Sequence, residues 1–314
     1  MALQFRISIF TILFFILTTI NTFSGEIHVE GKFTFPFSKS RPTEEVFIDI
    51  PRREEKIIIA NFNIQVFGKT KARKTDVMVT LAKIIPQFDI VAIQEIRDAS
   101  GTAIKKLEHA VDVMGTDYEY IIGPRLGRTS SKEQYAFMYN TKTISVGESY
   151  TFDDSESDLF HRQPFIARFK TKKGYFDFIL ITIHTDPEDA TKEINAIPIV
   201  LQDVQNQFPD EKDFIVLGDL NADCNYFDED DQTSPLRSPE YKWLITNDMD
   251  TNLAESSCTY DRIIVTSATT SEDYADMSDV FRFDTVLGLT KSMAKKVSDH
   301  YPVYSVFYVH KDTD

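Results

Sequence analysis

The sequence predicts an α/β sandwich. Short runs of apolar, mostly β-branched residues recur along the chain, and stretches with apolar residues at helical spacing lie between them. Continuous apolar strands are typical of sheets that are covered on at least one face. The chain shows no internal repeat and no Gly/Ser linker, which favours a single folded domain.

The elements follow from these patterns in chain order. Residues 57–60 are consecutive Ile and Ala, which predicts a buried strand. An amphipathic helix is predicted over 71–85, and a second buried strand over 89–93. The later predictions are a helix at 102–114, β-hairpins at 134–151 and 164–183, a helix at 189–207, and strands at 214–217, 262–265 and 303–309. Pro198 lies inside the helix at 189–207 and should kink it.

Composition and charge limit the function. The 314 residues are 42% hydrophobic and 26% charged, which is typical of a globular protein and excludes a disordered chain. The net charge of −15 argues against a polybasic protein that holds nucleic acid by charge alone. A polyanionic substrate would therefore need cations at the site.

The N-terminus predicts export. Residues 7–20 are uncharged and mostly apolar, follow Arg6, and lead into small polar residues. The run is shorter than the roughly 20 residues of a transmembrane helix. We therefore predict a signal peptide over residues 1–24; an anchoring N-terminal helix is the alternative. The mature chain would be secreted, or delivered to a periplasm or the secretory pathway, with no stable membrane association.

Residues 25–55 are predicted to be an N-terminal extension of unknown role. Phe33, Phe35 and Phe37 alternate like a strand, and a polar stretch follows. The chain has two cysteines, Cys224 and Cys258, which can form one disulfide in an oxidising compartment. Two free buried thiols are the alternative.

Polar residues cluster where predicted strands begin or end, so their side chains should converge on a sheet edge. Three carboxylates among them, Glu95, Asp219 and Asp299, are hard oxygen ligands suited to a magnesium-like ion. Two histidines can transfer protons near neutral pH, and two asparagines can orient a phosphate. These residues are His184, His300, Asn63 and Asn221. The absence of cysteine ligands argues against a structural zinc site.

The clusters form motifs whose order resembles the deoxyribonuclease I family of the endonuclease/exonuclease/phosphatase superfamily. The motifs are Asn-Phe-Asn from residue 61, Gln-Glu-Ile-Arg-Asp from 94, Gly-Asp-Leu-Asn-Ala-Asp-Cys from 218, Cys-Thr-Tyr-Asp-Arg-Ile from 258 and Ser-Asp-His-Tyr-Pro from 298. The resemblance implies a catalytic domain over residues 56–310. It also implies a four-layered α/β sandwich of two packed mixed β-sheets flanked by helices, and a disulfide between two active-site strands.

The resemblance also implies the chemistry, which is Mg²⁺- or Mn²⁺-dependent cleavage of DNA to 5′-phosphate ends. Glu95 and Asn63 resemble metal ligands of the family, and Asp219 and Asp299 lie beside them. The protein is expected to act as a monomer.

Two histidine and carboxylate pairs are implied for proton transfer. His184 would pair with Glu133, and His300 with Asp261, so that each carboxylate fixes an imidazole tautomer. His300 is assigned as the general base and His184 as the general acid; the reverse assignment stays open.

The resemblance also implies which residues contact the substrate, and the sequence departs from the family pattern at two positions. Asn221 and Arg162 would hold the scissile phosphate. Arg97, expected in the minor groove of DNA, is retained. Ser131 stands where the family commonly has a tyrosine that stacks on a sugar, and Gln65 where it often has an arginine. These two changes predict weaker duplex binding.

The resemblance to the family also suggests Ca²⁺ as a second cofactor. Asp250 matches one family ligand, although the threonines expected after it are absent. Asp154 and Asp158 are candidates for a second site, with Gln163 where the pattern has an acid.

Two other function classes remain open. A secreted phosphodiesterase acting on lipids or small diesters, similar to a sphingomyelinase, would use the same residues but should show exposed apolar loops. A non-catalytic binding protein would be expected to lack part of the histidine and carboxylate set, which is complete here.

Overall fold

A computed structural model of the chain describes residues 48–312. The predicted signal peptide and the alternating phenylalanines at 33–37 lie outside these residues. The twelve strands are β1 Lys56–Phe67, β2 Ile90–Ile96, β3 Tyr118–Ile122, β4 Gln134–Asn140, β5 Ile144–Thr151, β6 Phe165–Thr171, β7 Asp177–His184, β8 Phe214–Asp219, β9 Tyr241–Trp243, β10 Asp261–Thr266, β11 Tyr274–Val280 and β12 Val303–Tyr308. The α-helices are α1 Thr75–Ile84, α2 Thr102–Val113, α3 Ala190–Gln207, α4 Thr270–Asp273, α5 Phe283–Val286 and α6 Lys291–Val297.

The strands form two mixed sheets of six. The first has the order β11-β12-β1-β2-β4-β3, and the second has the order β5-β6-β7-β8-β10-β9. One parallel pair lies inside each sheet, β1 with β2 and β7 with β8, and the other neighbours are antiparallel. The α/β sandwich of two mixed sheets flanked by helices is confirmed.

The apolar run of β7 shows why its sequence is continuous rather than alternating. Phe178 and Leu180 belong to the core that both sheets share, whereas Ile179 and Ile181 pack in a second cluster with residues of α3. Because successive side chains of a strand point to opposite faces, burial of both faces requires apolar residues at every position. Between the sheets, the rings of Phe137 and Phe165 stack with centroids 5.6 Å apart.

The hairpin predicted over 134–151 is wrong. Strand β4 pairs with β2 and β3 in the first sheet, whereas β5 pairs with β6 in the second sheet. The short turn after Asn140 therefore crosses from one sheet to the other. Thr143 in this turn donates its hydroxyl hydrogen to Asp89 Oδ1 over 2.8 Å, which ties the crossing to the start of β2.

The hairpin predicted over 164–183 agrees with the antiparallel pairing of β6 and β7. Gly174 in its turn has φ +108°, and a Cβ there would lie 1.9 Å from the carbonyl oxygen of Val309. Only glycine fits this turn without displacing the chain after β12.

The remaining differences concern boundaries and short elements. The helix predicted over 71–85 is split into a 3-10 turn at Lys71–Arg73 and helix α1. The helix predicted over 189–207 is α3, with Pro198 inside it. The short elements β3, β9, β11 and α4 to α6 were not predicted from the sequence.

The described end of the predicted extension contacts the start of β2. Ile50 is buried, and the Arg53 guanidinium pairs with the buried carboxylate of Asp89. Of the helices within residues 48–312, none has the length and apolar character needed to cross a membrane.

Candidate active site

The predicted site residues converge at the carboxyl ends of the two parallel strand pairs. Asn63 and Glu95 come from β1 and β2, and His184 and Asp219 are the last residues of β7 and β8. The asparagine and glutamate lie inside their strands, because β1 and β2 extend beyond the predicted apolar runs. Packing of the two sheets brings these two edges together. In α/β folds, ligands commonly bind beyond the carboxyl ends of the strands.

Asp219 is the centre of the cluster. Its Oδ2 atom lies 3.5 Å from Nε2 of His184 and 3.5 Å from Nε2 of His300. The same oxygen accepts a hydrogen bond of 2.8 Å from Asn63 Nδ2. Asp219 and both histidines are nearly or fully shielded from solvent, so their charges interact strongly.

His300 is held by a buried carboxylate, as predicted. Its Nδ1 atom lies 2.7 Å from Asp261 Oδ2, and the other oxygen of Asp261 accepts from Asn61 Nδ2 over 2.9 Å. Burial alone would lower the pKa of His300, but the Asp261 and Asp219 carboxylates raise it well above its ordinary value. Burial raises the pKa of Asp261 to about 6.

His184 is held by a second carboxylate that also binds a cation. Its Nδ1 atom lies 3.2 Å from Glu133 Oε2, and the other oxygen of Glu133 lies 2.9 Å from the guanidinium of Arg162. Arg162 Nε also donates to the carbonyl of His184 over 2.9 Å. Burial opposes protonation of His184, but Glu133 and Asp219 outweigh it and raise the pKa.

Arg162 and Asn221 meet at one backbone carbonyl. The Arg162 Nη2 atom and the Asn221 Nδ2 atom both donate to the Thr185 oxygen, over 2.9 and 3.1 Å. Asn221 lies two residues after the end of β8 and has φ +48°, which is a left-handed conformation. The structure therefore brings together the two residues assigned to the phosphate.

Glu95 lies at a strained position on β2, with φ +58°. Its Oε1 atom accepts from Asn63 Nδ2 over 3.3 Å, while Oε2 accepts from the backbone nitrogen of Val66 and lies 2.9 Å from the guanidinium of Arg97. These contacts orient the carboxylate toward Asn63 and the rest of the site.

Asp299 lies at the exposed side of the cluster. Its Oδ2 atom accepts a 2.6 Å hydrogen bond from Gln65 Nε2, and about half of its side chain is exposed. The adjacent Ser298 donates its hydroxyl to the Asn63 carbonyl over 2.6 Å. Lys71 donates to the carbonyls of Gln65 and Val297, which joins the end of β1 to this loop.

The donor set fits a hard divalent cation. Asn63 Oδ1 is buried and has no hydrogen-bond partner among residues 48–312, although its amide nitrogen contacts both Glu95 and Asp219. A buried carbonyl oxygen without a partner is costly unless a cation or water pairs with it. Carboxylate and amide oxygens without thiolates are the ligands that Mg²⁺ prefers.

Cys224 and Cys258 form a disulfide, with Cα atoms 5.9 Å apart, so neither is a free thiol. The bridge joins the segment after Asn221 to the segment before Asp261. Beside it, the backbone nitrogen of Thr259 donates to Asp223 Oδ2 over 2.6 Å.

Residues 60–300 match the Endonuclease/Exonuclease/phosphatase family. The chain is 36% identical over 255 residues to deoxyribonuclease-1 of Homo sapiens, an alignment that covers 78% of this chain and 90% of that protein. The chain belongs to the deoxyribonuclease I family. It is also 36% identical over 256 residues to deoxyribonuclease gamma of Homo sapiens, covering 78% of this chain and 84% of that protein.

A solved structure shares the deoxyribonuclease I fold at low sequence identity. The endonuclease/exonuclease/phosphatase from Bacteroides vulgatus superimposes with a TM-score of 0.59 at 15% identity, covering 81% of this chain and 99% of that one. At this identity the likeness concerns the fold alone.

The groove residues expected in a deoxyribonuclease I family member lie beside the site. Arg97 Nη1 donates to the Ser131 hydroxyl over 2.9 Å, so the serine faces the arginine directly. Arg125 holds both segments, through the carbonyls of Arg97 and Lys132.

The calcium candidates of this deoxyribonuclease I family member are engaged by the protein itself. Asp154 accepts from the backbone nitrogens of Leu159 and Phe160, both over 2.8 Å. Asp158 pairs with Arg128, and both aspartates line a cavity of about 450 Å³. Asp250 lies in another segment, where it accepts from two backbone nitrogens of its own loop.

The residues that support Asp261 in this deoxyribonuclease I family member were not predicted from the sequence. Gln94 Nε2 donates to Asn61 Oδ1 over 2.6 Å, and Asn61 in turn donates to Asp261. Thr251 Oγ1 accepts from the backbone nitrogen of Asp261. Asn61 and Gln94 are polar residues next to or within apolar runs, so the sequence pattern could have indicated a role for them. No pattern in the sequence around Thr251 indicates its contact with Asp261.

Proposed function

We propose that this chain is a metal-dependent DNA endonuclease that hydrolyses phosphodiester bonds and leaves 5′-phosphate ends. Its relatives deoxyribonuclease-1 and deoxyribonuclease gamma support a deoxyribonuclease. The observation that carries the proposal is the arrangement of His184 and His300, each backed by a carboxylate and each facing Asp219.

The two histidines act as general acid and general base. One removes a proton from the attacking water, and the other donates a proton to the leaving 3′ oxygen. Glu133 and Asp261 hold the Nδ1 side of each ring, so that each Nε2 faces the reacting groups.

We assign His300 as the base and His184 as the acid. Asp219 raises the pKa of both histidines, whereas Asp299 contributes to His300. Neutralising the charges of Asp219 and Asp299 by cation binding would remove two of the causes that raise the pKa of His300, but only one of those that raise the pKa of His184. A general base must be unprotonated before it can accept a proton from water, so cation binding would favour this role for His300.

The phosphate is held by Arg162 and Asn221, which share the Thr185 carbonyl as an anchor. Glu95, Asn63, Asp219 and Asp299 would hold Mg²⁺ or Mn²⁺. When bound, the ion would offset the negative charge that develops on the phosphate. Calcium at Asp154 and Asp158, or at Asp250, is proposed as a secondary cofactor.

We propose export for this enzyme. The disulfide supports an oxidising compartment, where such bonds form and persist. Removal of residues 1–24 would take away Arg6 and no acid, giving a mature chain of net charge −16.

Plasmid nicking by a chain of residues 25–314 tests the proposal. We expect nicking with Mg²⁺, no nicking after EDTA treatment, and 5′-phosphate ends that accept ligation. Sphingomyelin, offered as a competing substrate, should be neither bound nor hydrolysed. Full nicking in EDTA, or hydrolysis of sphingomyelin in place of DNA, would contradict the proposed function.

A further inference from the structure

A cleft of about 240 Å³ is lined by Lys69, Ala72, Arg73, Thr102 and Lys106. It lies between the connection that follows β1 and the start of α2, which follows β2. Because β1 and β2 are parallel, both connections leave from the same sheet edge, the one that carries Glu95. The cleft therefore opens at the edge of the sheet where the catalytic groups lie.

Three of the five lining residues are basic, in a chain whose net charge is −15. Arg73 is exposed and makes no ion pair or side-chain hydrogen bond within residues 48–312. The Lys69 side chain is 55% exposed. Both cations are thus available to a ligand from solvent.

One acid, Asp98, lies beside Lys69, whereas three basic residues line the cleft, so the acid offsets only part of this charge. Asp98 lies 4.0 Å from Lys69 Nζ, but it is buried and committed to the start of α2. Its Oδ2 atom accepts from the hydroxyl of Thr102 and the backbone nitrogen of Ala103, both over 2.8 Å. Asp98 therefore stabilises the wall of the cleft, and the exposed part of the Lys69 side chain remains accessible from solvent.

The chain connects this cleft to the catalytic groups through Arg97. Arg97 precedes Asp98 and pairs with Glu95, so basic side chains continue from the metal-ligand candidates to Lys69. A polyanion that runs past the site would meet these cations in succession.

We propose that Lys69 and Arg73 bind a backbone phosphate of DNA outside the scissile position. The inference rests on the proposed nuclease function and extends it to a sequence-independent phosphate site. It gives an acidic protein a local region in which the DNA backbone is attracted rather than repelled.

The test is a double variant, Lys69→Gln with Arg73→Gln. Its matched control is Lys142→Gln with Lys173→Gln, two exposed lysines in turns at the opposite end of the sheets. Duplex binding is measured by fluorescence anisotropy with Mg²⁺ between about 50 and 200 mM salt. A His184→Ala background prevents cutting. Hydrolysis of bis(p-nitrophenyl) phosphate is measured with His184 intact.

Loss of one phosphate contact should lower the slope of log affinity against log salt by about 0.9. We expect this change and several-fold weaker binding at low salt in the double variant, with the control and small-diester hydrolysis unchanged. A slope equal to that of the control would overturn the inference, as would an equal loss of small-diester hydrolysis. Failure of the unsubstituted chain to nick plasmid would instead count against the proposed function.

Discussion

His184 and His300 direct their Nε2 atoms at one oxygen, Asp219 Oδ2, which lies 3.5 Å from each. One histidine ends β7 and the other precedes β12, so the two belong to different sheets. The two imidazoles that we propose for proton transfer therefore lie on either side of the same carboxylate oxygen.

His184→Ala and His300→Ala should each lower the rate of plasmid nicking at least about a hundredfold, because a placed imidazole contributes about 10²–10⁴-fold. The variants should remain folded by circular dichroism. His310→Ala, an exposed histidine, is the control and should keep full activity. Unfolding of both site variants would indicate structural roles for these histidines instead.

Asp98→Asn should lower the free energy of unfolding at pH 7 by about 1–2 kcal/mol, because a neutral amide with one acceptor oxygen replaces an ionised carboxylate that accepts hydrogen bonds at both oxygens. Burial tends to raise the pKa of Asp98, but hydrogen bonds from Ser100, Thr102 and Ala103 lower it well below its ordinary value. The ionised carboxylate therefore stabilises the fold above the unfolded-state pKa of about 3.9.

This stabilisation is lost as the pH falls through the lower folded-state pKa of Asp98. Urea unfolding at pH 7, 5 and 3 should show a difference between the native chain and Asp98→Asn that shrinks at pH 3. Asp210→Asn, at an exposed position, is the control. A difference that stays constant down to pH 3 would disprove the assigned cause.

Replacing both cysteines, Cys224→Ser with Cys258→Ser, should lower the free energy of unfolding by at most about 4 kcal/mol, the value for a loop of 34 residues. Activity should fall as well, because the bridge restrains the segments next to Asn221 and Asp261. Denaturant unfolding and nicking rates measure both effects. Stability and activity equal to those of the native chain would show that these segments hold their positions without the bridge.

Ser131→Tyr should lower the KM for duplex DNA with little change in single-strand turnover. An aromatic ring can stack on a sugar, and stacking is worth about 1–3 kcal/mol per base in single-strand binders. Ser131→Ala, which removes only the hydrogen bond with Arg97, is the control. Unchanged duplex cleavage by Ser131→Tyr at every salt concentration would show that residue 131 does not contact the groove.

The sequence by itself determined the fold class and the family, and it supplied the candidate residues of the site. Runs such as 57–60 and 214–217 are apolar at every position, and all of these residues are buried. Such continuous runs are typical of strands in a sheet that is covered on both faces. The motifs around Glu95, Asp219 and His300 each place polar groups beside such a run, and their order resembles that of the deoxyribonuclease I family. The cysteines were also correctly expected to pair.

Tertiary structure decided which strands pair and what supports the site. The turn after Asn140 joins two sheets, whereas the local pattern predicted a hairpin, because alternation of side chains records burial and not the identity of the neighbouring strand. The contacts from Gln94 through Asn61 to Asp261 span 33 and 200 residues of sequence. No local pattern specifies such partners, since they meet only when the two sheets pack together.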